Sequence, residues 1–262
     1  MIAPVAYEST GAGPDAIVFL HGIGGNAASF APQLDALSRT RRAVAWNMPG
    51  YGGSAAAPSL SFAGLAAALE ELLDRLRIER ADLFGHSIGG MVALEFAATR
   101  PHRVRSLILC ATTPAFGGKD GSFEEQFLKS RLGPLDAGKK MKDVAEAAMP
   151  AMTGEGADPA GVARAKKAMS AIPADAYRAV IKCLVTFDRR ASLGEIASPA
   201  LVIAGERDPN APARSMAKMA EKMPNARYVE IAGAGHLLPY ERPVEINRLV
   251  AEFLREIGRD AA

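Results

Sequence analysis

Ser87 stands between Gly85 and Gly89 in the run L-F-G-H-S-I-G-G-M-V, Leu83 to Val92. A short apolar segment, Ala81 to Phe84, precedes it, and helical spacing follows in Met91, Leu94, Glu95 and Ala98. A strand that turns sharply into a helix pushes its central side chain out above the sheet, in a turn too tight for bulk two residues to either side. A serine placed there can act as a nucleophile. Its hydroxyl is reactive at neutral pH only when a base takes the proton, and a histidine is that base only when an acceptor holds its other nitrogen. Of the four histidines, His21 opens a glycine loop, His86 lies inside the turn pointing away from Ser87, and His102 follows Arg100-Pro101 at a helix end. Structural roles suit these three. His236 lies on a loop after a strand, where Gly233 and Gly235 allow the chain to turn inward, and is the candidate base. Asp208 follows the apolar run Ala200 to Ala204 on the edge where ligands bind in open α/β sheets, and is the candidate acid that orients it. Glu206 is the alternative acid.

Attack by serine on a carbonyl leaves negative charge on the former carbonyl oxygen, which two preorganised backbone N–H groups can stabilise. One is the N–H of Ile88, next after the nucleophile at the positive end of a helix. The other is expected from Ile23, in the loop after Leu20. That loop, H-G-I-G-G, has neither the lysine nor the G-x-G-x-x-G spacing of a nucleotide-phosphate loop.

The elements that must position these groups alternate along the chain. Apolar runs too short for helices, Ala16 to Leu20, Arg42 to Trp46, Ala81 to Phe84, Val104 to Cys110, Ala200 to Ala204 and Tyr228 to Ile231, read as strands. Between them lie helical patterns: Phe30, Leu34 and Leu37; Leu65 to Leu76 after Ser61; Met216, Met219, Ala220 and Met223; and a closing amphipathic helix from Pro243 to Ile257. This alternation predicts an α/β fold, a mostly parallel central sheet with helices on both faces. From Phe116 to about Arg190 short helical stretches are interrupted by glycine, proline, lysine and methionine, with no buried strand among them. We expect an inserted helical lid at 116–190, dividing the core into a first part, 1–115, and a second, 191–262.

Composition narrows the class. The 262 residues suffice for one large domain with an insertion, and 49% hydrophobic and 23% charged residues are ordinary for a globular chain. A net charge of +2 gives no field that favours nucleic acid. No run has signal-peptide or membrane-span character, so we expect no membrane association and a cytoplasmic location. Two cysteines, Cys110 and Cys183, without Cys/His clustering, offer neither a disulfide framework nor a zinc site. No metal or cofactor is expected, and the expected partner is a small molecule.

The motifs H-G-I-G-G, M-P-G-Y-G-G-S, G-H-S-I-G-G-M-V-A, A-L-V-I-A-G-E-R-D and G-A-G-H, in this order, resemble the α/β-hydrolase superfamily over everything but the lid. Through L-H-G-I-G-G-N-A-A-S-F and A-S-L-G-E-I-A-S-P-A-L-V-I-A-G-E-R-D the chain is most similar to the group of 3-oxoadipate enol-lactonases and related carboxylesterases. It departs from that group in having Met48-Pro49-Gly50-Tyr51-Gly52 where R-G-H-G is frequent, and in a lid without tryptophan. The resemblance implies a serine hydrolase that cleaves a small carboxylic ester or lactone through an acyl-enzyme on Ser87, with His236 as base and Asp208 orienting it. Carbon-carbon bond hydrolases and cofactor-free perhydrolases use the same three residues, and a slow-turnover ligand-binding protein on this fold is a further alternative. The lid cations Lys129, Arg131, Lys139, Lys140, Arg164, Lys166 and Lys167 could include a partner for a substrate carboxylate.

Overall fold

A computed structural model describes residues 4–117 and 121–259. Its centre is a seven-stranded sheet: β1 (Tyr7–Thr10), β2 (Ala16–Leu20), β3 (Arg42–Trp46), β4 (Ala81–His86), β5 (Val104–Cys110), β6 (Ala200–Gly205) and β7 (Ala226–Ile231). The spatial order is β1-β3-β2-β4-β5-β6-β7. All neighbours pair parallel except β1, which runs antiparallel to β3. This first strand has no apolar signal because all four of its residues are exposed at the sheet edge; backbone pairing, not burial, recruits it.

The continuous apolar runs are strands covered on both faces. In β2, Ile17 and Phe19 point into one core and Val18 and Leu20 into the other, as the two-residue period of a strand requires. One face is covered by α1 (Ala31–Leu37) and the closing α10 (Pro243–Arg259). There Phe19, Phe30 and Phe84 meet with ring centroids 5.0 to 5.6 Å apart, each ring contributing about 1.5–3 kcal/mol of burial. The opposite face carries α2 (Phe62–Arg75), α3 (Ile88–Thr99) and α8 (Ala213–Glu221). The Ser61 hydroxyl accepts the Gly64 N–H at 3.1 Å and starts α2. α3 is apolar on every side except at Glu95 and is buried from Ile88 to Ala97, as expected of a helix enclosed all round.

Among the described residues, four α-helices lie between β5 and β6: α4 (Ser122–Asp136), α5 (Met141–Met152), α6 (Pro159–Ser170) and α7 (Ala174–Leu184). Three of them, α4, α5 and α7, overlap the helical stretches that the sequence shows as F-E-E-Q-F-L-K-S-R-L, M-K-D-V-A-E-A-A-M and A-Y-R-A-V-I-K-C-L-V. The fourth, α6, is signalled by Asp158-Pro159: the Asp158 carboxylate accepts the N–H groups of Ala160 and Gly161, both at 3.0 Å, with proline at the first helical position. Where this insertion leaves and rejoins the sheet, the two chain segments pair, the Phe116 N–H donating to the Phe187 carbonyl (2.9 Å) and Arg189 N–H to that of Pro114 (2.8 Å). The Arg189 guanidinium then grips the buried Glu95 of α3 through two bonds of 2.6 and 2.7 Å.

The connections from β2 and β4 run to opposite sides of the sheet, so their C-terminal ends form a topological switch point, the place where an open α/β sheet leaves a crevice. At the other end of β4, fully buried Asp82 accepts from Arg41 (2.9 Å), from Arg105 (2.9 Å at Nε) and from the Ser106 hydroxyl (2.7 Å). Removing it leaves the mostly buried Arg41 guanidinium without a carboxylate and Arg105 with Asp15 alone. Asp82→Ala should lose about 3 kcal/mol in urea unfolding, while turnover per folded molecule is unchanged because Ser87 lies at the opposite strand end. Unfolding indistinguishable from the parent chain would contradict this account of the cluster.

Candidate active site

Ser87 links β4 to α3 with φ 55° and ψ −122°, a conformation that side chains rarely adopt. The turn holds because its neighbours have no side chains. A Cβ on Gly89 would lie 2.0 Å from the Leu20 carbonyl oxygen, and one on Gly85 2.4 Å from the Gly90 Cα. The Ser87 N–H donates to the Cys110 carbonyl (3.0 Å) and the Thr112 hydroxyl donates to the Ser87 carbonyl (2.7 Å), tying the turn to the end of β5.

The loops after β6 and β7 bring Asp208 and His236 to this turn. The Ser87 hydroxyl donates to His236 Nε2 at 3.1 Å, and His236 Nδ1–H donates to Asp208 Oδ2 at 2.8 Å, a single neutral tautomer serving both bonds. Asp208 Oδ1 accepts the N–H groups of Asn210 (2.7 Å) and Ala211 (3.0 Å). Burial works to raise the Asp208 pKa, but His236 and these two amides outweigh it and hold the carboxyl below its ordinary range. Glu206, the alternative acid, faces solvent and accepts the Gly233 N–H instead (2.7 Å). Ile88 occupies the first position of α3, where amides have no acceptor within the helix. Ile23 lies on the loop after β2, and both Ile23 and Ser87 line one cavity. That cavity measures about 150 Å³, with Met91, Phe127, Met152, Met169 and Leu184 among its walls. Among the described residues no cluster of three His, Cys, Asp or Glu side chains could hold a metal ion, and no helix is long and apolar enough to cross a membrane.

The other histidines fall where structural roles place them, and two bear on the site. His86 Nε2–H donates to the His236 carbonyl at 2.7 Å. His21 donates through Nδ1 to the Gly22 carbonyl (2.8 Å) and accepts the Met48 N–H at Nε2 (3.0 Å), fixing the loop that carries Ile23. His102 is exposed, near the start of β5. Burial lowers the pKa of His21 to about 4, and burial with the neighbouring His236 lowers that of His86 to about 3.

The sequence reading missed Glu241, in the short α9 (Leu238–Glu241). Its carboxylate is buried and accepts three backbone N–H groups: Gly235 (2.9 Å) and Leu237 (2.8 Å), which flank His236, and Gly154 (2.7 Å) just beyond α5. The His236 N–H itself donates to the Met152 carbonyl at 2.8 Å. The loop of His236 is therefore clamped, and its glycine serves close approach: a Cβ on Gly235 would lie 2.6 Å from the Gly154 nitrogen. An acid five residues beyond the histidine was the available signal, but the short helix that turns it back was not legible.

Two outcomes are expected. Glu241→Gln, which presents an amide N–H to at least one of three N–H donors, should lower kcat by about 10²-fold through a displaced His236 with a much smaller change in KM; equal kcat would remove Glu241 from the positioning of His236. His21 and His86 are neutral when folded, and below pH about 6.5 the unfolded chain binds the extra protons. Stability should therefore fall as pH drops from 7 to 5, by about 2 kcal/mol per histidine. Urea unfolding at both pH values should show about half of this slope removed by His86→Asn or His21→Asn.

Comparison with known proteins places this geometry in a family. The family described as alpha/beta hydrolase fold matches residues 15–243. The chain is 31% identical to the dihydrolipoyllysine-residue acetyltransferase component of the acetoin cleaving system of Pseudomonas putida over 95% of its own length and 66% of that protein's. It is also 31% identical to a 2-hydroxy-6-oxononadienedioate/2-hydroxy-6-oxononatrienedioate hydrolase of Burkholderia vietnamiensis, covering 96% of this chain and 91% of the relative. Among solved structures, the enol-lactonase of Burkholderia xenovorans LB400 superposes with a TM-score of 0.86 at 26% identity, over 96% of each chain. The chain belongs to the family of the alpha/beta hydrolase fold.

Proposed function

We propose that this hydrolase cleaves a small carboxylic ester or lactone through an acyl-enzyme on Ser87. The observation that carries the reading is the hydrogen-bonded series from the Ser87 hydroxyl through His236 to the buried Asp208, at the wall of the 150 Å³ cavity. As Ser87 Oγ attacks the carbonyl, His236 Nε2 takes its proton, and Asp208, ionised and held by Asn210 and Ala211, stabilises the imidazolium. The N–H groups of Ile88 and Ile23 receive the oxyanion, each donor of this kind contributing about 2.7–4 kcal/mol. His236 returns the proton to the leaving alkoxide, then activates water to release the acid.

The segment 116–190 serves in this reading as a helical lid between the core parts 1–115 and 191–262, since α4 to α7 supply most of the apolar cavity wall. An apolar cavity of this size holds a group about as large as benzene, so short acyl groups and small lactones fit and long chains do not. The similarity to an enol-lactonase supports a lactone, whereas a relative named as a hydrolase of an oxo-dienedioate keeps carbon-carbon cleavage as the second reading. Product analysis separates them.

A fluorophosphonate should label the parent chain and not Ser87→Ala. Asp208→Asn should lower turnover of a short ester by up to about 10⁴-fold, by favouring the wrong histidine tautomer. Labelling that survives Ser87→Ala, read by intact mass, would end the acyl-enzyme mechanism.

A further inference from the structure

Among the described residues, Arg131 of α4 is the one arginine or lysine side chain in the wall of the cavity beside Ser87, and no aspartate or glutamate among them shares that wall with it. The other four arginines of 116–190 each hold a carboxylate: Arg164 that of Asp158, Arg178 that of Asp136, Arg189 that of Glu95 and Arg190 that of Asp188. Arg131 holds none among the described residues. Its guanidinium stacks over the Phe127 ring with Cζ 5.3 Å from the centroid, and its Nη2 donates to Asn210 Oδ1 at 3.2 Å. Burial pushes the Tyr177 phenol, also in the cavity wall, above its ordinary pKa, and the nearby Arg131 charge opposes that rise. Both residues also line a second cavity between α4, α5 and α7, with Lys139 and Asp143; the Asp143 carboxylate there already accepts the Lys140 N–H at 2.9 Å.

A cation half-buried against the Phe127 ring, bonded only to a neutral amide, has given up part of its water without gaining an anion. The planar guanidinium offers a two-donor edge that matches a carboxylate. Beside it, the Asn210 amide nitrogen has no acceptor among the described residues, so it can donate to the same anion. Asn210 is in turn fixed by its N–H bond to Asp208, which ties the position of this pair to the loop of the catalytic acid.

We propose that Arg131, with Asn210, binds a carboxylate carried by the substrate away from the scissile bond, so that the enzyme's substrates are esters or lactones of acidic molecules. This rests on the ester-hydrolase reading for the reaction but not for the binding, and the two are tested apart. For the reaction, kcat/KM is measured for pairs of equal length: monomethyl adipate against methyl hexanoate, with the charge on the acyl side, and 4-acetoxybutanoate against butyl acetate, with the charge on the alcohol side. At least one acidic ester should be preferred over its neutral partner, and Arg131→Gln should reduce that preference about tenfold or more, chiefly through KM, with Arg131→Lys retaining part of it. For binding, adipate is titrated calorimetrically into the Ser87→Ala protein, and adding Arg131→Gln should weaken its Kd about tenfold or more. Both ester ratios and the adipate Kd unchanged by Arg131→Gln would overturn the inference. Adipate binding that depends on Arg131, in a protein that hydrolyses none of the four esters, would instead sustain the site and remove the ester-hydrolase reading.

Discussion

Everything at the site depends on a serine held where its backbone does not want to be. A φ of 55° at Ser87 costs about 1–3 kcal/mol, and it persists because the surroundings leave no alternative. β4 is buried between β2 and β5, α3 is buried from its first residue, and the turn between them is closed so tightly that the Leu20 carbonyl and the Gly90 backbone occupy the space side chains would need. The strain lifts the hydroxyl above the ends of the parallel strands. It also sets an amide-bearing helix start beside that hydroxyl, so one local distortion supplies both an exposed hydroxyl and, in the proposed reaction, a place for developing negative charge.

The second requirement is a histidine that arrives from far along the chain and stays put. His236 is held through its main chain as much as through its ring: its N–H by Met152, its carbonyl by His86, and the amides on either side by Glu241. Two of these contacts also involve the insertion, since Met152 ends α5 and Glu241 receives the Gly154 amide as well. The helices that wall the cavity and the loop that carries His236 thus share hydrogen bonds. A change in the insertion can therefore alter turnover as well as substrate fit.

The sequence by itself determined the alternating α/β architecture, because strands buried on both faces must be short continuous apolar runs and amphipathic helices must repeat every three to four residues. It also placed Ser87 in a tight strand-to-helix turn, since such a turn tolerates only glycine at Gly85 and Gly89, and it pointed to Asp208 and His236 by their place after strand ends, three groups that the structure brings within hydrogen-bond distance. What it lacked was distance. The exposed edge strand β1 is held by backbone pairing alone and has no side-chain signature. Glu241 reads as one more helix-terminal acid until a four-residue helix folds it beneath the histidine loop. Arg131 is one cation among many in 116–190, and only the packing of α4 against Asn210 separates it from the arginines that already hold carboxylates. Periodicity and turn chemistry are local and can be read along the chain; which buried charge meets which distant amide is fixed only when the sheet, the insertion and the closing loops are packed together.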